Sequence, residues 1–109
     1  MYSRGEIVLI PVPFSDLSAT KRRPVLVISN DAHNGSNSDM LVVAITSNLI
    51  QSGIPISTSD MLRGQLPKAS LIRTDKLYTL DQGIVVKSIG QVASYVLDKV
   101  KTDIIKLVS

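Results

Sequence analysis

Apolar residues fall along this chain in short runs divided by polar stretches that carry Gly, Pro, Asn and Asp. Residues 5–14 are rich in Ile and Val and close on Pro11 and Pro13, which predicts a first strand with a proline-marked end. Residues 15–22 are polar and read as a loop. Residues 24–29, Pro-Val-Leu-Val-Ile-Ser, form a continuous apolar run, as expected of a strand buried on both faces that starts at Pro24. The Asn-, Asp- and Gly-containing stretch 30–39 reads as a second loop. Residues 40–45 are another buried strand, ending in Thr46-Ser47-Asn48. Residues 54–58 alternate weakly, and Pro55 confines them to a sheet edge. A turn region is expected over 61–67, a strand over 69–74 stopping at Asp75-Lys76, and short strand pieces over 77–80 and 84–86.

The period then changes. Ile89, Val92, Ala93, Val96, Val100, Ile104 and Leu107 recur at helical spacing. Ser88 and Gln91 match the S-x-x-Q capping box, in which each side chain satisfies a free backbone donor. This predicts a helix of about five turns beginning near Ile89. Short strands with one terminal helix imply a mainly β fold: a small barrel or strongly bent sheet with a helix packed on it.

Composition narrows the chemistry. With 109 residues, one domain spanning 1–109 is expected. The balance of 44% hydrophobic and 19% charged residues is that of a globular protein. There is no Cys and one His, His33, so thiolate, disulfide and His-based zinc chemistry are excluded. Too few acidic residues cluster to suggest a two-metal site, and no cofactor is expected. The N-terminal apolar stretch is broken by prolines, and no apolar run approaches the ~20 residues of a membrane span. A cytoplasmic protein is expected. The net charge of +3 permits a polyanionic partner without demanding one. Lys21, Arg22 and Arg23 form the only triple basic run; it can draw phosphates or be a solvated loop.

Four segments, in this order, resemble the MazF/PemK toxins: Gly5-Glu-Ile-Val, Lys21-Arg-Arg-Pro-Val-Leu-Val-Ile-Ser-Asn30, Val42-Val-Ala-Ile-Thr-Ser47 and Leu71-Ile-Arg-Thr-Asp75. The resemblance covers nearly the whole chain. It implies an SH3-like barrel with a C-terminal helix, a homodimer, a cognate antitoxin protein as partner, and metal-independent cleavage of single-stranded RNA. By the same resemblance, Arg23 and Thr46 match the family's catalytic arginine and threonine. Arg73 and Asp75 match positions used for catalysis or RNA binding.

Such cleavage uses the 2′-hydroxyl beside the phosphate as nucleophile, and charge builds on the phosphoryl oxygens. A planar, permanently charged guanidinium suits those oxygens, which assigns Arg23 to charge stabilisation. The Thr46 hydroxyl can donate to the same group or form a turn. Asp75 is the available carboxylate for a general base, or else an ion-pair partner of Arg73. Arg73, Ser47, Lys21 and Arg22 are candidate RNA contacts. Phe14 can stack a base or cap the core. Tyr95 is expected to pack along the helix stripe, and His33 to lie outside the site. Two rival functions stay open at this point. One is a non-catalytic barrel that, like the related CcdB toxins, acts on a partner protein such as DNA gyrase. The other is a nucleic-acid-binding regulator that cuts nothing.

Overall fold

The computed structural model describes residues 1–13 and 20–109. Seven strands form one curled half-barrel sheet: β1 (Glu6–Pro13), β2 (Thr20–Val27), β3 (Asp39–Thr46), β4 (Ile54–Ile56), β5 (Met61–Gly64), β6 (Ser70–Asp81) and β7 (Lys87–Val92). Their spatial order is β4-β6-β3-β2-β1-β7-β5, with antiparallel neighbours throughout. Helix α1 (Asp31–Ser36) joins β2 to β3, and α2 (Ser94–Leu107) closes the chain. The mainly β half-barrel with a C-terminal helix is the architecture the patterning predicted. The weakly alternating Ile54–Ile56 is an edge strand, as Pro55 required. Among the described residues no helix is long and apolar enough to cross a membrane.

Alternation divides the sheet into two buried layers. Ile7, Leu26, Val43, Ile45, Ile72 and Val92 face Val96 and Val100 of α2. On the opposite face Val8, Ile10, Val25, Val27, Met40 and Val42 pack together under Tyr2, Leu80 and Val85. Continuous apolar runs on the central strands thus reflect burial on both sides.

Several boundaries differ from expectation, each for a local reason. The basic run lies on a strand, not in a loop: Lys21, Arg22 and Arg23 pair with Val12, Pro11 and Ile10 of β1. Pro24 is therefore inside β2. The ladder to β3 covers only Val25–Val27, so on that side its missing N–H breaks nothing. The 30–39 stretch carries α1, capped by the Asn30 side chain, which accepts from His33 N at 2.8 Å. Residues 61–64 form β5 and pair with β7, while of the strand piece expected over 84–86, Ile84 ends a 3-10 turn over 82–84 and the strand starts only at Lys87.

The C-terminal helix starts at Ser94 and spans 14 residues, about four turns. Its cap is Ala93, whose side chain makes no capping bond. The apparent capping box belongs to β7: Ser88 Oγ donates to Glu6 at 2.9 Å, and Gln91 Nε2 donates to the Arg4 carbonyl at 3.2 Å. Gly90 fixes this choice. Its φ of +153° suits glycine, and a Cβ there would lie 2.4 Å from the Arg63 carbonyl oxygen. Tyr95 is not packed in the stripe. It is 46% exposed, donates to Asp60 at 2.6 Å and lies under the Lys99 ammonium. The Asp60 carboxyl is held below its ordinary range, chiefly by that hydroxyl.

Candidate functional site

One cleft of about 540 Å³ opens on the sheet face opposite α2, across β1, β2, β3 and β6. Register explains what meets there. Val25 of β2 lies opposite Ala44 of β3, and two residues past that last pair stand Arg23 on β2 and Thr46 on β3. Ala44 also lies opposite Arg73 of β6, which puts Arg73 on the same face. Arg23, Thr46 and Arg73 all line the cleft, together with Gln51, Lys76 and Tyr78.

A bulge in β6 makes this set possible. Val43 pairs with Leu77, but the next residue, Ala44, pairs with Arg73. Thr74, Asp75 and Lys76 are left without partners on β3. An odd number of inserted residues reverses the alternation, so Arg73 and Tyr78, five positions apart, share one face. The bulge is anchored from behind: Thr74 is buried, and its hydroxyl donates to Asp103 of α2.

Arg73 is held from two sides. Its Nε and Nη2 donate to the two carboxylate oxygens of Asp75 at 3.3 and 3.1 Å, and Nη1 donates to the Gln51 side chain. Of five guanidinium N–H groups, these bonds engage three. The Asp75 carboxyl lies below its ordinary range, first because Arg73 hydrogen-bonds it. That favours the ion-pair reading of Asp75, since the pair that orients Arg73 also lowers the basicity of the carboxylate. Thr46 closes β3, and its Oγ1 accepts from Asn48 N at 3.1 Å. The turn-forming reading of Thr46 is therefore realised, yet its hydroxyl proton stays available to the cleft. Two arginines, a lysine and a hydroxyl on one concave surface have the chemistry to receive a phosphate-like anion, and Arg73 is oriented before one arrives.

Other candidates lie elsewhere. Ser47, Lys21 and Arg22 are exposed and outside the cleft lining. Alternation puts Lys21 on the face of Arg23 and Arg22 on the reverse one. Phe14 lies outside the described residues. His33 contacts Asp39 at 3.1 Å, beside a separate groove under α2. Among the described residues no three His, Cys, Asp or Glu side chains gather as a metal site. Sequence reasoning missed Gln51, Lys76 and Tyr78 as cleft residues, because their placement depends on the turn after β3 and on the bulge.

A family model described as PemK-like, MazF-like toxin of type II toxin-antitoxin system matches residues 3–108. Endoribonuclease MazF6 of Mycobacterium tuberculosis H37Rv is 31% identical over 101 residues, which cover 90% of this chain and 89% of that protein. Endoribonuclease MazF2 of Mycobacterium bovis shows the same identity and coverage. Among solved structures, MazE-MazF (Form-II) from Deinococcus radiodurans matches with a TM-score of 0.77 at 21% identity, covering 98% of this chain and 95% of its own. An endoribonuclease from Mycobacterial species, in complex with its cognate antitoxin, matches with a TM-score of 0.73 at 18% identity, covering 95% and 91%. These two structures show that the fold is shared.

Proposed function

The chain belongs to the PemK-like, MazF-like toxins of type II toxin–antitoxin systems, and we propose that it is a metal-independent endoribonuclease cutting single-stranded RNA. The observation that carries this reading is the convergence of Arg23, Arg73 and Thr46 on one cleft.

The phosphate diester sits with its non-bridging oxygens on the two guanidinium groups and the Thr46 hydroxyl. The neighbouring 2′-oxygen attacks phosphorus and gives up its proton to water. The bond from phosphorus to the 5′-oxygen breaks, and the leaving oxygen takes up a proton. A 2′,3′-cyclic phosphate and a 5′-hydroxyl result. Charge accumulates on the phosphoryl oxygens, where Arg23 and Thr46 act. Asp75 serves as a positioning residue that fixes Arg73. The nucleophile belongs to the substrate and is already held beside the phosphorus, so part of the entropic barrier is removed in advance.

The protein works in the cytoplasm as a homodimer, twofold pairing being the commonest closed assembly. Its partner is a cognate antitoxin with an acidic or apolar segment that folds on binding. The antitoxin complexes among the matching structures support that partner.

The test is incubation of the purified protein with long single-stranded RNA in EDTA. Fragments ending in 5′-hydroxyl and 2′,3′-cyclic phosphate are expected. An oligonucleotide with deoxyribose at the cleaved nucleotide should bind and resist cutting. A 5′-phosphate on the downstream fragment would overturn the mechanism, and intact RNA would overturn the activity. Light scattering at micromolar concentration should report a dimer; a monomer counts against the assembly.

A further inference from the structure

The cleft changes character along β3. Near Thr46 it presents Arg23, Arg73 and Gln51. Arg73 stands beside Ala44; two residues farther along β3, beside Val42, the cleft presents Tyr78, followed by Leu80 opposite Met40. Two strand residues cover about 7 Å. Tyr78 thus stands one short step from Arg73, within reach of a base attached to the sugar next to a phosphate held there.

Tyr78 is 49% exposed, unusual for a large aromatic on the inner face of a sheet. Its exposure has a structural cause. β4 pairs with β6 only at Ser70–Ile72, so beyond the bulge β6 has no neighbour on that side among the described residues. Apolar side chains share the cleft with the ring: Leu80, Ile84 and Val12 line it, and Ile84 and Val12 are 39% and 37% exposed. An aromatic plate with apolar walls, next to a cationic phosphate site, has the chemistry of a subsite for an unpaired nucleobase.

We propose that Tyr78 is the stacking platform for the base adjacent to the phosphate held by Arg23 and Arg73, and so sets which nucleotide is presented for cutting. This rests on the cleft being the RNA site. The bulge of Thr74–Lys76 is what joins the two halves, since regular alternation would turn Tyr78 away from Arg73. Stacking tolerates any base but favours the larger purines, whose rings cover more of the tyrosine.

The probe is a set of short single-stranded oligodeoxynucleotides, each carrying one 2-aminopurine moved along the strand. They lack the 2′-hydroxyl and stay uncut. Wild-type protein should quench the fluorescence at one position. Tyr78→Phe should keep the quenching, and Tyr78→Trp should deepen it. Tyr78→Leu should abolish it and weaken binding roughly 5- to 150-fold, the range for one lost base stack. The proposal is overturned if Leu quenches and binds like wild type, or if Phe or Trp, with wild-type melting temperature, loses as much as Leu. The activity reading fails separately: all-ribose RNA would stay uncut while position-specific quenching persists.

Discussion

Arg73 and Asp75 form a two-pronged ion pair across the start of the β6 bulge, Nε to Oδ1 at 3.3 Å and Nη2 to Oδ2 at 3.1 Å. Both residues came from the sequence as site candidates, one for phosphate and one for a proton. Their geometry gives them a single joint task. Asp75 is half-exposed and Arg73 is mostly covered, so the carboxylate restrains the guanidinium from the solvent side.

The pair predicts a specific pH dependence. Arg73 lowers the Asp75 pKa, so the carboxylate stays ionised down through and below its ordinary range near 3.8. Whatever the pair contributes is present above that range and lost only as pH falls through the depressed folded-state value. Because Asp75 is half-exposed, its effect on stability is small. Cleavage should therefore show no acid limb from Asp75 between about pH 5 and 7. Asp75→Asn should lower kcat on the order of 10- to 100-fold by loosening Arg73, without changing the shape of the profile. A wild-type acid limb that vanishes in Asp75→Asn would restore the general-base role.

Removing the Arg23 charge should cut kcat/KM by roughly 10²–10³-fold, the scale of one lost transition-state donor. Arg23 is exposed, so the melting temperature should hardly move. Arg23→Lys should recover only part of the loss, because an ammonium cannot hold two phosphoryl oxygens in one plane. Full activity in Arg23→Ala would place the site elsewhere. Single-turnover cleavage beside thermal melting separates the outcomes.

The strands with continuous apolar runs were legible because burial on both faces leaves little room for polar residues. What escaped was decided by contacts distant in sequence. Nothing in Lys21-Arg-Arg marks a strand; it becomes one by pairing with Pro11, Val12 and Ile10. Ser88 and Gln91 fit a helix start equally well on paper, but Glu6 and the Arg4 carbonyl claim both side chains. Gly90 was the available warning, as glycine disfavours a first helical turn. Asn30 is a residue type suited to a helix N-cap, and it caps α1. Arg23, Thr46, Arg73 and Asp75 were named as site candidates through family resemblance, not patterning. Tyr78 could not join them on alternation alone, because Arg73 and Tyr78 differ in parity until the bulge resets it.

Gly64 and Gly90 face each other where β5 meets β7. Gly64 has a φ of +78°, and a Cβ there would approach the Ile89 carbonyl oxygen to 2.2 Å. Gly64→Ala should therefore cost more than about 2 kcal/mol, combining left-handed strain with a backbone clash. That corresponds to roughly 8–15 °C in Tm for a chain of this size. A loss under about 2 °C in thermal unfolding would mean that β5 does not seal the sheet in solution.

Thr46 offers the clearest separation of structure from chemistry, because one oxygen accepts the turn bond and carries the proposed donor proton. Its Oγ1 accepts from Asn48 N at 3.1 Å and so shapes the turn that delivers Gln51 to Arg73. Its proton is the donor assigned to the phosphoryl oxygen. Thr46→Ser keeps acceptor and donor, and should retain activity within about fivefold, the lost methyl loosening the rotamer. Thr46→Val keeps the shape and removes both functions. Losing the accepted bond should cost about 1 kcal/mol of stability. Losing the donor should lower kcat roughly 10²-fold, with little change in KM, because it acts where charge develops. A turn defect alone would behave differently: it would shift Gln51 and Arg73 and weaken binding of the uncut deoxy-substituted strand. The expected result is that Thr46→Val binds that strand like wild type and cuts the all-ribose one slowly. Equal loss of binding and cutting would reduce Thr46 to a turn former. Loss in Thr46→Ser as deep as in Thr46→Val would show that the hydroxyl is not what matters.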